Sequence, residues 1–146
     1  MVAKEIFLNQ YFYIAFIAWL IAQLSKVITT LVIEKRLNLY RLVGSGGMPS
    51  SHSSFVMGLS TSIGLDKGWD SASFAVALVF SLVIMYDASG VRRAVGKQAI
   101  ILNTMLDDLY KHKHIEQEKL KELIGHTPYE VFVGAILGIV IANLMI

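Results

Sequence analysis

The sequence predicts an all-α polytopic membrane helix bundle of about four transmembrane helices with an added amphipathic segment, and three observations predict it. Charge is scarce: 16% of residues are charged and 55% are hydrophobic, where a soluble domain carries about 25% charged residues. Charge is also segregated. The stretches Tyr11–Ile33, Gly44–Leu65, Ser71–Tyr86 and Val131–Ile146 contain Lys26 and no other Lys, Arg, Asp or Glu. Finally, these stretches approach the roughly 20 residues that a helix needs to cross the hydrocarbon core.

Taken in order, the first span is expected near residues 11–33, long enough without help. The second is expected near 49–65, its helix opening close to Pro49, since proline suits the first helical turn. Asp66–Asp70 reads as a tight loop, and the third span follows near 71–86. Residues 92–124 read as an amphipathic region, because Val95, Ala99, Leu102, Leu106 and Leu109 recur on one helical face. Lys111-His112-Lys113-His114 breaks it, and Glu116–Ile124 restarts a short helix. The last span is expected near 128–146, opening at Thr127-Pro128. All 146 residues are read as a single integral membrane domain without a cleavable signal peptide.

These features exclude an ordinary soluble enzyme, a disordered tail and a nucleic-acid-binding module. The chain has no cysteine, so neither a disulfide frame nor a thiolate metal site is available. A formal net charge of +2 names no partner.

Strict alternation of four spans brings one set of residues to one side of the membrane. They are Lys35, Arg36 and Arg41; Gly46-Gly47-Met48-Pro49-Ser50-Ser51-His52; Asp87, Arg92 and Arg93; and His126. Two histidines at two parallel helix starts, ringed by cations, suit phosphoryl transfer. Helix N-termini bind phosphate oxygens through unpaired N–H groups. Gly46 and Gly47 let the backbone approach an anion, and Arg grips phosphate bidentately. One imidazole would attack phosphorus while the other protonates the departing oxygen.

Three segments carry a family resemblance. Gly46–Ser53 (GGMPSSHS) resembles the P-S-G-H motif of the type 2 phosphatidic acid phosphatases and vanadium haloperoxidases. His126–Gly134 (HTPYEVFVG) resembles that superfamily's H-Y-P-S-D-V-x-x-G segment, and Tyr86–Arg93 (YDASGVRR) looks like a divergent bacterial and plant branch of it. The resemblance implies a metal-independent phosphatase with no cofactor. His126 would be the nucleophile that becomes a phosphohistidine, Glu130 would orient its imidazole in place of the usual Asp, and His52 would be the general acid. Phosphate would be held by Lys26, Ser51, Gly47, Arg92, Arg93 and Arg36. Two motif positions differ: the Arg-Pro of the first motif is Ile33-Glu34, and the Arg of the third is Leu120. Arg36 or Arg41 and Arg92 or Arg93 are the available replacements.

The expected substrate is a phosphorylated lipid bearing a phosphomonoester or pyrophosphate. Membrane lipids are the expected surroundings, and nucleic acid is not an expected partner. The alternative is a non-catalytic relative that binds phospholipid headgroups or scaffolds a complex. Simpler readings accompany single residues. Lys26 could snorkel to the interface, Arg92 and Arg93 could anchor the helix ends, and His112 and His114 read as solvated. Asp87 reads as a partner for Arg92 or Arg93, with a magnesium ligand as the weaker reading. Gly134 and Gly138 would let a helix approach closely, either within the chain or from a second copy in a homo-oligomer. Ten Lys and Arg, from Lys35 to Arg41 and from Arg92 to Lys121, face Lys4 and Lys67 on the other side. Positive loops remain inside, so the expectation is a plasma-membrane protein whose site faces the cytoplasm.

Overall fold

The computed structural model describes residues 8–35, 47–110 and 125–146, which form five helices. They are α1 (Gln10–Glu34), α2 (Ser51–Lys67), α3 (Ala72–Ser89), α4 (Val91–Tyr110) and α5 (Pro128–Met145). No strand occurs among the described residues. Arg36, Arg41, Gly46, Leu120 and the end of the amphipathic region lie outside them.

The packing is that of a membrane protein, with small residues inside and large ones outside. Along α1, Ala15, Ala18 and Ala22 are wholly buried, while Phe16, Leu24, Ile28 and Val32 are exposed. In α3, Ala77 and Ser81 are buried, while Val76, Val79 and Val83 are more than 60% exposed. Such outward-facing apolar surface suits lipid, not water.

Helix α2 is the centre of the bundle, packed against α1, α3 and α5. Its buried residues are mainly small and polar, among them Ser53, Ser54, Gly58, Ser60 and Ser62. Their hydroxyls are satisfied locally: Ser54 Oγ donates to the Ala18 carbonyl at 3.0 Å, and Ser62 Oγ donates to Leu59 at 2.8 Å. Three segments are long and apolar enough to cross a membrane, Gln10–Val32, Ala72–Asp107 and Pro128–Met145. At 17 residues α2 spans only about 25 Å, and its neighbours shield it from lipid, so it has no need of their apolarity.

Two local expectations change, and a third gains detail. Helix α2 starts at Ser51 with Ser50 as N-cap, so Pro49 precedes the cap and does not occupy the first turn. Asp66 and Lys67 complete the last turn of α2, where Tyr11 Oη donates to Asp66 and Lys67 pairs with it at 3.0 Å. The chain then turns at Gly68, whose φ of +92° favours glycine. In α4 the apolar stripe is divided: Val95 and Leu102 are about half exposed, whereas Ala99 is buried together with Gly96 and Asn103. Small residues again face inward. Helix α5 begins as expected, with Thr127 as N-cap and Pro128 at its first position.

Candidate active site

The site is built where α2 and α5 begin and α3 ends. At α5 a capping box closes the helix start: Thr127 Oγ1 accepts from Glu130 N at 3.3 Å, and Glu130 Oε2 accepts from Thr127 N at 2.9 Å. The same carboxylate oxygen lies 3.1 Å from His126 Nδ1. Glu130 therefore fixes both the helix start and the imidazole before it. His126 is 4% exposed, and its Nε2 is buried with no hydrogen-bond partner among the described residues.

Backbone contacts set the position of His126. Its N–H donates to the Ala88 carbonyl at the end of α3, at 3.0 Å. Gly125 lies so close to the Arg92–Arg93 backbone that an added Cβ would sit 2.3 Å from Arg93 N. A side chain there would push His126 off the α3–α4 junction.

Helix α2 meets α5 as tightly. Ser50 N donates to the Glu130 carbonyl at 3.0 Å, and Ser50 Oγ caps its own helix. A Cβ on Gly134 would sit 2.3 Å from Ser50 O, and one on Gly138 would sit 2.4 Å from Ser54 O. The glycine pair therefore serves packing of α5 on α2 within the chain. Two residues beyond Ser50, the ring of His52 stands 6.2 Å from that of His126, centroid to centroid, at 62°.

Cations complete the surroundings. Lys26, buried late in α1, donates through Nζ to Ser51 Oγ at 3.1 Å. Arg92 Nε pairs with Asp87 Oδ2 at 3.0 Å, an arrangement that occupies Asp87 and leaves the terminal guanidinium nitrogens of Arg92 out of that contact. Burial holds the His126 pKa below the usual histidine value; the hydrogen bond that the Glu130 carboxylate accepts pulls it up, and Lys26 and Arg92 push it further down. Burial and the neighbouring cations therefore favour the neutral imidazole.

The structure thus gathers Lys26, Ser51, His52, Arg92, His126 and Glu130, with the Arg93 backbone against Gly125. Gly47 stands in the turn before α2 with a φ of +83°, a conformation that favours glycine. Arg36 lies outside the described residues. The contacts of Ser50, the Ala88 carbonyl and Gly125 were not foreseen. Only the Gly134–Gly138 spacing signalled a close approach, and it did not name the partner.

A sequence model described as the Divergent PAP2 family matches residues 7–141. The chain belongs to that family. This divergent PAP2 chain is similar to the uncharacterized membrane protein YuiD of Bacillus subtilis (strain 168), 39% identical over 135 residues, with 85% of each chain covered. No solved structure matches the divergent PAP2 chain at a significant level. Family, relative and apolar helices agree that this is an integral membrane protein.

Proposed function

We propose that the protein is a membrane-embedded lipid phosphatase that hydrolyses a phosphomonoester or pyrophosphate through a phosphohistidine on His126. One observation carries the reading: His126 is held at Nδ1 by a carboxylate while its Nε2 is buried and unpartnered beside a second histidine. With Nδ1–H donating to Glu130, the Nε2 lone pair is free to attack. It forms a bond to phosphorus as the bond from phosphorus to the leaving oxygen breaks, and protonated His52 gives that oxygen its proton. A water, giving a proton back to His52, then attacks phosphorus. The P–N bond breaks, and phosphate and neutral His126 are restored. Lys26, Ser51, Arg92, Arg93, Gly47 and Arg36 are the groups assigned to the phosphate oxygens, where positive charge and N–H donors offset the developing negative charge. No divalent ion enters this scheme.

The test is phosphate release by the purified protein from phosphatidate, phosphatidylglycerol phosphate and a polyprenyl pyrophosphate. Wild type should release phosphate from at least one, and His126→Ala from none. His52→Asn should lose about a hundredfold or more on the natural ester but far less on p-nitrophenyl phosphate, whose leaving group needs no proton. A wild type that binds these lipids without turnover would overturn the phosphatase reading in favour of a headgroup-binding relative.

A further inference from the structure

An apolar groove of about 380 Å³ runs away from the site, with His52 lining its polar end. Phe16 and Trp19 of α1 form one wall, Phe80 and Ile84 of α3 the other, and Val56 of α2 contributes to the floor. Among the described residues no Cα of α1 lies within 8 Å of a Cα of α3, so the groove lies in a gap between their backbones above α2. Phe16 and Phe80 are 43% and 55% exposed at its edges, whereas Val56 is 3% exposed.

Length and polarity narrow the occupant. Phe16 lies about 15 Å along α1 from Lys26, and Phe80 about 10 Å along α3 from Asp87, at 1.5 Å per residue. Half of the roughly 30 Å hydrocarbon core is about 15 Å, so the groove is about as long as one leaflet is deep. Its volume sits near the lower end of the roughly 300–1,000 Å³ usual for ligand sites. His52 is common to the groove and to the histidine pair. A ligand that fills both therefore needs a charged head and a hydrocarbon tail.

We infer that this groove seats one hydrocarbon chain of the phosphorylated lipid whose head the His52–His126 pair handles, drawn sideways from the leaflet on the site's side. The inference rests on the phosphate-handling reading of that pair. Selection then acts on a single tail: its first turns pass between Trp19 and Ile84, and its end lies against Phe16 and Phe80.

Trp19 is itself a reporter, since the chain's other tryptophan is Trp69. In a Trp69→Phe protein reconstituted in vesicles, Trp19 fluorescence is titrated with a long-chain alkylphosphonate brominated near mid-chain. Its C–P bond does not hydrolyse, so binding is read without turnover. The comparison is phosphatidylcholine brominated at the same depth. The phosphonate should half-quench Trp19 at a mole fraction about tenfold lower, and Ile84→Phe, which narrows the groove, should weaken that about tenfold, the scale of a methylene or two. Ile84→Ala should not weaken it. Equal quenching by phosphonate and phosphatidylcholine overturns the inference, as does indifference to Ile84→Phe. Should Ile84→Phe fail to fold, the two-lipid comparison decides alone. Preferential quenching without phosphate release from any lipid leaves the groove and removes the phosphatase; phosphate release without preferential quenching does the reverse.

Discussion

Glu130 lies in the first turn of α5, where an anion is favoured and where the capping box already needs its carboxylate. Its second contact, to His126 Nδ1, selects the tautomer that leaves Nε2 unprotonated. An amide at this position can donate to Nδ1, which would put the proton on Nε2 instead. Glu130→Gln should therefore lower phosphate release by about a hundredfold or more, and Glu130→Asp should retain part of it. Protonated His126 cannot attack phosphorus, and burial keeps its pKa below that of a free histidine. The acid limb of the pH–rate profile should accordingly lie below the usual histidine range. Because the Glu130 contact raises that pKa, the limb of the residual Glu130→Gln activity should move to lower pH still. A limb that rises would mean that Glu130 does not act on the imidazole. The histidine–carboxylate pair was legible from the likeness of the HTPYE segment to the family's motif, in which a carboxylate orients the histidine. The burial of Nε2 was not, because it depends on α3 and on the chain around Gly125.

At the scale of elements, the site is two helix starts held in register. The Ser50 N–H to Glu130 carbonyl bond and the contact of Gly134 with Ser50 lock α2 to α5. Gly134→Ala places a Cβ against a backbone carbonyl that has no rotamer to escape into, so the helices must separate. Overpacking of this kind costs about 1–3 kcal/mol. A lower melting temperature in detergent should come with loss of phosphate release, since the two imidazoles ride on the same pair of helices. Gly58→Ala is the contrast: its nearest neighbour is the Ala18 side chain at 3.1 Å, and it should cost less on both measurements. Equal effects of the two would separate helix packing from the site. Periodicity indicated that α4 is amphipathic without saying which of its residues the bundle buries. Apolarity measures preference for lipid as well as for a core, and in a bilayer the buried face goes to small residues such as Gly96 and Ala99.

For the whole molecule the distribution of charge bears on orientation. Excess Lys and Arg on the site side predict a site in the cytoplasm with both termini outside, and such a site would meet phospholipid intermediates in the inner leaflet. The chain has no native cysteine, so single cysteines report cleanly. Tyr129 is 66% exposed beside His126, and Asp70 is exposed in the turn at the opposite end of the bundle. In intact cells a membrane-impermeant maleimide should label Asp70→Cys and spare Tyr129→Cys; the reverse pattern would invert the topology.

What the sequence by itself determined follows from local chemistry. Segregated charge and apolar lengths gave a helical membrane protein, and the PSSH and HTPYE segments placed two histidines at helix starts. Alternation of spans put Asp87 and Arg92 near them, and the family resemblance added Lys26. The tertiary structure decided the rest, because the rest depends on which helices touch. It made the serine-rich α2 the centre, although its polarity alone would argue against a buried span. It also turned the Gly134–Gly138 pair onto Ser50 and Ser54 within the same chain. Finally, it kept α1 and α3 apart over α2, opening a groove beside His52. No pattern along the chain encodes a gap between two helices, since it is set by how each of them packs on α2.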